Sequence, residues 1–367
     1  MNFLQAGKKG IVFWVGVFAG SLVLVVLLTY VLFEGFPRWN AQCDVANSCS
    51  GQLAVAEIRD VLNSDDLKTG TYAGGSGIYW EQVCVISPWE GDESEVRVAI
   101  GYMNQLEYIS RTTPGIGREV PAAIGHGWSG FVAADERAAS ATVTVRCGET
   151  EDLIVRADYE AADRGERGDD APDPTSADYA ALARVATGTA ANVAADQQCE
   201  SELGGEVNEL DVPSLDDAVP VQQADGLCGS LPGFQELAST LGVVSVVDGS
   251  AGSAPLSGCR LQLSDDGQTY VLLSASYGGY AVEETRHTVE LAESASGVAE
   301  EDSQVVRAWA QAECPAPFRI GRYALRVVAE EGSPAYSREQ RAVQRELLAS
   351  FARAEAERYG CSELRVP

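Results

Sequence analysis

Leu53, Val55, Ile58 and Leu62 recur at helical spacing, and apolar residues three and four apart predict an amphipathic helix there. A turn-forming cluster from Gly70 to Gly77 follows, and then a strand over residues 80–87. Val96, Val98 and Ile100 alternate with Glu95, Arg97 and Ala99, the pattern of a strand with one wet face. Residues 104–130 carry scattered glycine and proline without a period and read as loop or short elements. Alternation returns at Ala141, Val143 and Val145, another strand covers 153–157, and Thr175-x-x-Asp178 offers a start for a helix running to Cys199.

The same order recurs further on. Ala308, Ala310 and Ala312 alternate, residues 323–328 form a strand, and Ser337-x-x-Gln340 is a capping box for a helix running to Cys361. Eight cysteines give the repeat its register: Cys49, Cys84, Cys147 and Cys199, then Cys228, Cys259, Cys314 and Cys361. The gaps run 35, 63 and 52 in the first set and 31, 55 and 47 in the second. Cys49 precedes Glu57, Ile58 and Leu62 by the same offsets that separate Cys228 from Glu236, Leu237 and Leu241. Gly130 to Cys147 aligns without a gap on Gly297 to Cys314, which matches Asp135 with Asp302 and puts the alanines of residues 308–312 in phase with residues 141–145. Side chains in a strand alternate faces, so the preserved phase predicts the same buried face in both copies. In the closing helices Val185 and Ala186 align with Leu347 and Leu348, and Thr189 aligns with Phe351. The second copy thus has the stronger apolar stripe and is expected to be the more stable.

The predicted class is α+β: an N-terminal transmembrane helix followed by two homologous domains, each an antiparallel sheet packed by an opening and a closing helix. The expected segments are a cytoplasmic N-terminus (1–10), a membrane span (11–33), a juxtamembrane stalk (34–48), the first copy (49–203), a linker rich in Val-Pro pairs and acids (204–227) and the second copy (228–367). Residues 163–174 read as a mobile acidic loop.

The 23 residues of the span carry no charge, and a helix of that length crosses a hydrocarbon core of about 30 Å. Trp14, Tyr30, Phe36 and Trp39 lie near its ends, where interfacial aromatics belong. Lys8 and Lys9 before it, against Glu34 and Arg38 after it, predict a cytoplasmic N-terminus and an extracytoplasmic bulk. The apolar run is too long for a cleaved leader, and Phe36-Pro-Arg-Trp-Asn40 offers no small-residue cleavage site.

On this topology all nine cysteines lie in an oxidising compartment, where structural disulfides persist. Four cysteines permit three connectivities, and spacing alone does not choose among them. The pairing that ties each helix to a neighbouring strand is Cys49–Cys84, Cys147–Cys199, Cys228–Cys259 and Cys314–Cys361. Cys43 is left over, either as a free thiol or as a bridge to a second copy of the chain.

Charge narrows the partners. The chain of 367 residues has 26 Lys and Arg against 54 Asp and Glu, a formal charge of −28, which argues against nucleic acid or anionic lipid surfaces as ligands. Lys8, Lys9 and Lys68 are the only lysines. No closely spaced cysteine or histidine pair suggests a metal, and no phosphate-cradling glycine loop or other cofactor motif occurs. Of the two histidines, His126 and His287, neither has a counterpart in the other copy. Gly125-His-Gly-Trp-Ser-Gly130 resembles a nucleophile elbow, but Phe131 stands where Gly-x-Ser-x-Gly needs its second glycine. Trp128 and Trp309 are the candidate ligand-contacting aromatics, with burial under a flanking helix as the competing account of Trp309.

The cysteine opening of each copy, its helix, Gly258-Cys-Arg-Leu261 and the ending Arg358-Tyr-Gly-Cys-Ser-Glu-Leu364 together resemble membrane-anchored or secreted actinobacterial proteins with tandem four-cysteine domains. The likeness covers most of the chain beyond the span, and the first copy departs from it at Gln198-Cys-Glu200. It implies an envelope location and supplies no catalytic residues. The expected function is a noncatalytic membrane-anchored envelope protein whose two stapled domains bind a partner protein or envelope ligand, with a homodimer through Cys43 as one use of that thiol. The alternatives are an envelope hydrolase using His126, Ser129 and an acid such as Asp135, or a purely structural spacer.

Overall fold

The computed structural model describes residues 36–70, 82–90, 94–102, 120–134, 138–148, 152–160, 174–199, 201–249, 252–264, 269–286, 296–300, 306–316, 318–328 and 337–367. The predicted span at 11–33, the acidic loop, Asp135, Asp302 and His287 lie outside these residues. Among the described residues no helix is long and apolar enough to cross a membrane.

The chain is α+β and contains two antiparallel sheets. Its first part runs α1 (Phe36–Asn47), α2 (Val55–Leu62), β1 (Leu67–Thr69), β2 (Gln82–Pro88), β3 (Glu95–Tyr102), β4 (Ala122–Ala123), β5 (Gly130–Ala134), β6 (Ala138–Arg146), β7 (Asp152–Glu160) and α3 (Ser176–Asp196). The second runs β8 (Val219–Pro220), α4 (Phe234–Leu241), β9 (Ser245–Asp248), β10 (Leu256–Gln262), β11 (Tyr270–Tyr277), α5 (Gly279–Arg286), β12 (Gly297–Glu300), β13 (Val306–Glu313), β14 (Ile320–Val328), α6 (Arg338–Arg358) and β15 (Ser362–Arg365).

The first sheet has the order β1-β2-β3-β7-β6-β5-β4 and the second, read in the same direction, β8-β9-β10-β11-β14-β13-β12, with β15 also on β13. Six consecutive strands, β1-β2-β3-β7-β6-β5 and β9-β10-β11-β14-β13-β12, therefore follow one order. The opening helices α2 and α4 are both eight residues long, and the closing helices α3 and α6 both have 21. Each closing helix begins at a capping box, Thr175 with Asp178 and Ser337 with Gln340, so first-turn N–H groups that the helix itself leaves unpaired are satisfied locally.

Four disulfides bind helices to strands: Cys49–Cys84, Cys147–Cys199, Cys228–Cys259 and Cys314–Cys361, with Cα separations of 6.0, 4.3, 6.2 and 3.9 Å. Cys43 is unpaired on α1 and partly exposed.

Burial follows the strand period on the helix-covered faces. Val96, Val98, Ile100, Ala141, Val143, Val145, Val155 and Ala157 meet Ile58, Leu62, Val185, Ala186 and Val193 in the first core. Leu273, Ala275, Tyr323, Leu325, Ala308 and Ala310 meet Phe234, Leu241, Leu347, Leu348 and Phe351 in the second. Thr189, aligned with Phe351, is fully buried and accepts the backbone N–H of Ala54 at 3.1 Å. It thereby serves the start of α2, whose N-cap residue Ala54 has no side-chain acceptor.

Two segments are more closely bound than a stalk or a linker would be. Residues 36–47 form α1, whose Ala41 and Val45 are buried, and Gln42 Nε2 on that helix donates to Asp66 Oδ1 at 2.9 Å. Beyond α3, Val207, Leu210 and Val212 pack into the first core, while Val221, Ala224 and Leu227 pack into the second. These apolar residues are irregularly spaced among acids and prolines, so no period announces them. The faces turned away from the helices are buried too: Ser140, Thr142 and Arg156 on the first sheet, and Arg260, Gln262, Tyr270, Leu272 and Trp309 on the second. Arg260 lies over the Tyr270 ring at 3.7 Å.

Candidate functional site

The two halves meet in a small apolar cluster. Phe131 of β5 and Ile154 of β7 contact Ala254, Leu256 and Tyr280 from the second half. The Phe131 and Tyr280 rings stand edge to face, 5.7 Å between centroids.

Beside this contact lies a cleft of about 300 Å³, lined from the first half by Trp128, Ser129, Thr144, Arg146 and Asp152, from the irregular segment after Cys199 by Ser201, Glu202 and Leu203, and from the second half by Pro255, Tyr277, Gly278, Tyr280 and Phe318. That volume is at the lower end for small-molecule sites.

The first wall is built by a strained turn. Gly125, His126 and Gly127 all take left-handed φ, 70°, 53° and 86°, a run that glycine on either side of His126 makes affordable. The turn brings Trp128 back against the chain beyond Cys199. Its indole Nε1 donates to the Gly205 carbonyl at 2.8 Å, and Gly205 N donates to the His126 carbonyl at 2.7 Å. Only glycine fits at 204, since a Cβ there would lie 2.3 Å from Trp128 Cδ1. Ser201 Oγ donates to the Arg146 carbonyl, so the Cys147–Cys199 bond, this hydrogen bond and Trp128 together fix the rim. Leu203 is left 42% exposed there.

Charge within the cleft is largely compensated. Arg146 Nε meets Asp152 Oδ1 at 3.4 Å, and under the floor Arg156 Nε meets Asp158 Oδ1 at 2.6 Å. Glu202 is exposed.

The second wall stands on a buried carboxyl. Glu355 of α6 is fully buried; its Oε2 accepts from Ser257 Oγ at 2.7 Å and from Tyr277 OH at 3.2 Å, and its Oε1 lies 3.1 Å from Arg358. Tyr277 stacks on Tyr359 at 3.9 Å, and the Tyr359 hydroxyl both accepts from Ala254 N and donates to Ala254 O. Glu355 thus underlies Pro255 and Tyr277. The corresponding position in the first half is Val193, which is apolar core.

Burial, outweighing the Ser257 hydrogen bond, Arg358 and the Tyr277 hydrogen bond, lifts the Glu355 carboxyl above its ordinary 4.5. Burial also pushes the Tyr277, Tyr323 and Tyr359 hydroxyls up. A carboxyl whose folded value is raised binds more protons folded than unfolded, so its contribution is complete below 4.5 and is lost as pH rises through the folded value. Glu355→Gln should therefore flatten the fall in stability above pH 4.5 and leave the protein more stable than wild type on the alkaline side, as read from denaturation midpoints across a pH series. An unchanged slope would show that another group carries the dependence.

The sequence-derived candidates separate in space. Trp128 and Ser129 line the cleft, with Trp128 only 8% exposed. Trp309 is 4% exposed, lies on the sheet face opposite Ala308 and Ala310, and is not among the residues lining the cleft. His126 is exposed and no hydrogen bond joins it to Ser129, whose carbonyl accepts from Thr144 N at 2.8 Å. The described residues include one compact trio of metal-ligand types, Cys228, Asp248 and Cys259. Two of its members are spent in a disulfide, and the Asp248 carboxylate accepts the backbone N–H groups of Cys228 and Gly229 at 2.7 and 3.0 Å.

Missing from the sequence reading were Tyr277, Tyr280, Glu355 and Phe318. The available signal was the hydroxyl run Ser140, Thr142 and Thr144 on the wet phase of β6, which reads as solvated although Ser140 and Thr142 are buried and Thr144 lines the cleft. Compared with family models, curated proteins and solved structures, the chain matches none.

Proposed function

We propose that this chain is a noncatalytic envelope protein, anchored through residues 11–33 with its N-terminus cytoplasmic, that presents two homologous disulfide-stapled domains and binds an envelope ligand or partner between them. The observation that carries the reading is the cleft itself, whose walls come from both halves and from the segment between them. The shared order of six strands supports homology of the domains. Four disulfides support an oxidising, extracytoplasmic site, and the resemblance to actinobacterial anchored proteins supports the same address. An exposed Leu203 on the rim gives a ligand an apolar contact at the entrance.

The test is a photoreactive side chain at position 203, with Val244, similarly exposed at 43% but outside the cleft, as its control. In cells, adducts are expected at 203 and absent at 244. Equal labelling at both positions, or none at 203, would sink the reading.

A further inference from the structure

The charges lining the cleft do not balance. They are one guanidinium, Arg146, and two carboxylates, Asp152 and Glu202. Arg146 meets Asp152 at 3.4 Å. Glu202 is exposed on the rim and makes no ion pair among the described residues. A single exposed carboxylate is ordinary, since water solvates it well. What surrounds this one is not.

From Val185 to Cys259 the chain has no lysine, arginine or histidine. Within that stretch the segment that leaves the cleft exposes six acids, Glu202, Glu206, Glu209, Asp211, Asp216 and Asp217. Among the described residues one guanidinium is bonded to it, that of Arg184, whose Nη1 donates to the Val207 carbonyl at 2.9 Å. The same segment carries two of the four large apolar side chains that the described residues leave exposed, Leu203 at 42% and Leu215 at 49%.

This surface is held in place before any ligand arrives. Gly205 N is bonded to the His126 carbonyl, Val207 and Leu210 are buried in the first core, and Leu210 N donates to Ser176 at the start of α3. A fixed backbone lowers the ordering cost of binding.

The occupant follows from charge and shape together. An anionic partner meets the formal charge of −28. A small inorganic cation would leave Leu203 and the partly exposed Phe318 in water. A volume of about 300 Å³ admits side chains and not a folded domain. A chain that alternates positive and apolar side chains satisfies all three conditions, and charge complementarity of this kind steers association and excludes wrong partners.

We infer that the cleft receives an extended basic segment of a partner protein, with one apolar side chain of that segment against Leu203 and Phe318 and its Lys or Arg neighbours on Glu202 and the acids beyond. The inference rests on the proposed binding role of the cleft and names the chemistry of the partner.

The experiment uses the full chain in a nonionic detergent and three labelled peptides, Lys-Gly-Lys-Leu-Lys-Gly-Lys, its neutral counterpart with Gln for Lys, and its apolar-free counterpart with Gly for Leu. Fluorescence anisotropy reads binding. The first peptide should saturate and bind about tenfold more tightly than the neutral one, the combined effect of a few exposed ion pairs. Added salt should weaken it. Glu202→Gln should weaken it about two- to fivefold, and Leu203→Ser about three- to tenfold, to the level of the apolar-free peptide. Both positions are exposed, so the melting temperature should not move. Glu236→Gln, which neutralises an exposed acid of α4 outside the cleft lining, should change nothing. Equal binding of the neutral peptide, no saturation by the basic one, or equal weakening by Glu236→Gln and Glu202→Gln, the mark of diffuse attraction to net charge, overturns the inference. If adducts still form at position 203 in cells in that event, the cleft keeps its binding role with a partner of other chemistry; if they do not, both readings fall.

Discussion

Replacing Cys147 and Cys199 together with alanine is expected to destabilise the first half of the chain by about 4 kcal/mol, the chain-entropy value for a loop of this length. The bond closes 52 residues of sequence, against 35, 31 and 47 for the other three. Because loop entropy grows only with the logarithm of length, the other double replacements should cost within about 0.5 kcal/mol of this one. Removing both cysteines avoids leaving a reactive thiol, and thermal melts of the oxidised variants read the difference. A second effect separates this bond from the rest. It fixes the start of the irregular segment that carries Ser201 to Gly205, and so holds Leu203 and the Trp128 indole in the cleft wall. Loss of this bond should therefore reduce adduct formation at 203 even at temperatures where the first half remains folded. Loss of Cys228–Cys259, tied instead to β10 in the second half, should leave it unchanged. Equal effects from the two variants would show that the rim does not depend on its staple.

Phe351→Ala is expected to cost about 3–5 kcal/mol, the range for truncating a fully buried phenylalanine. Phe351 sits on α6 in the centre of the second core, with Leu347 and Leu348 of its own helix, Phe234 and Leu241 of α4, and Leu273 and Leu325 of the sheet. The position is surrounded by three elements held together by two disulfides, so the cavity has little freedom to collapse. At the aligned position of the first copy, Thr189→Ala removes less apolar volume but strands the Ala54 N–H that the threonine accepts, at a cost of about 1–3 kcal/mol. Thr189→Val should cost nearly as much as Thr189→Ala, because volume is retained and the acceptor is not. Denaturant midpoints for the three variants test the comparison. A Phe351→Ala cost below that of Thr189→Ala would contradict the packing described here.

Only the packing of α3 against the start of α2 showed how the first half uses Thr189. By helical spacing it reads as a weak spot in an apolar stripe, because a period reports which face is inward and not what meets it. The same limit applies to Trp309. Its alternation with Ala308 and Ala310 places it on the opposite face of β13, but that face is itself buried. A strand covered on both sides loses the contrast that sequence patterns depend on. β10 is buried at every position and β11 at all but one, and neither shows the alternation that marked β3 and β6.

The sequence alone determined the features whose cause is local or repeated: the four-cysteine frame, the phase of β6 and β13, the closing helices with their capping boxes, the acidic surface and the uncharged run at 11–33. Each depends on residues close along the chain or on a copy of itself. The tertiary structure decided the order of the strands, the capture of residues 36–47 and 204–227 by the two cores, and the cleft. The cleft draws Trp128, Thr144, Leu203, Tyr277 and Tyr280 from stretches separated by up to 152 residues of sequence. No periodicity spans that distance, because the sheet faces that meet there are complementary to each other and not to any pattern within themselves.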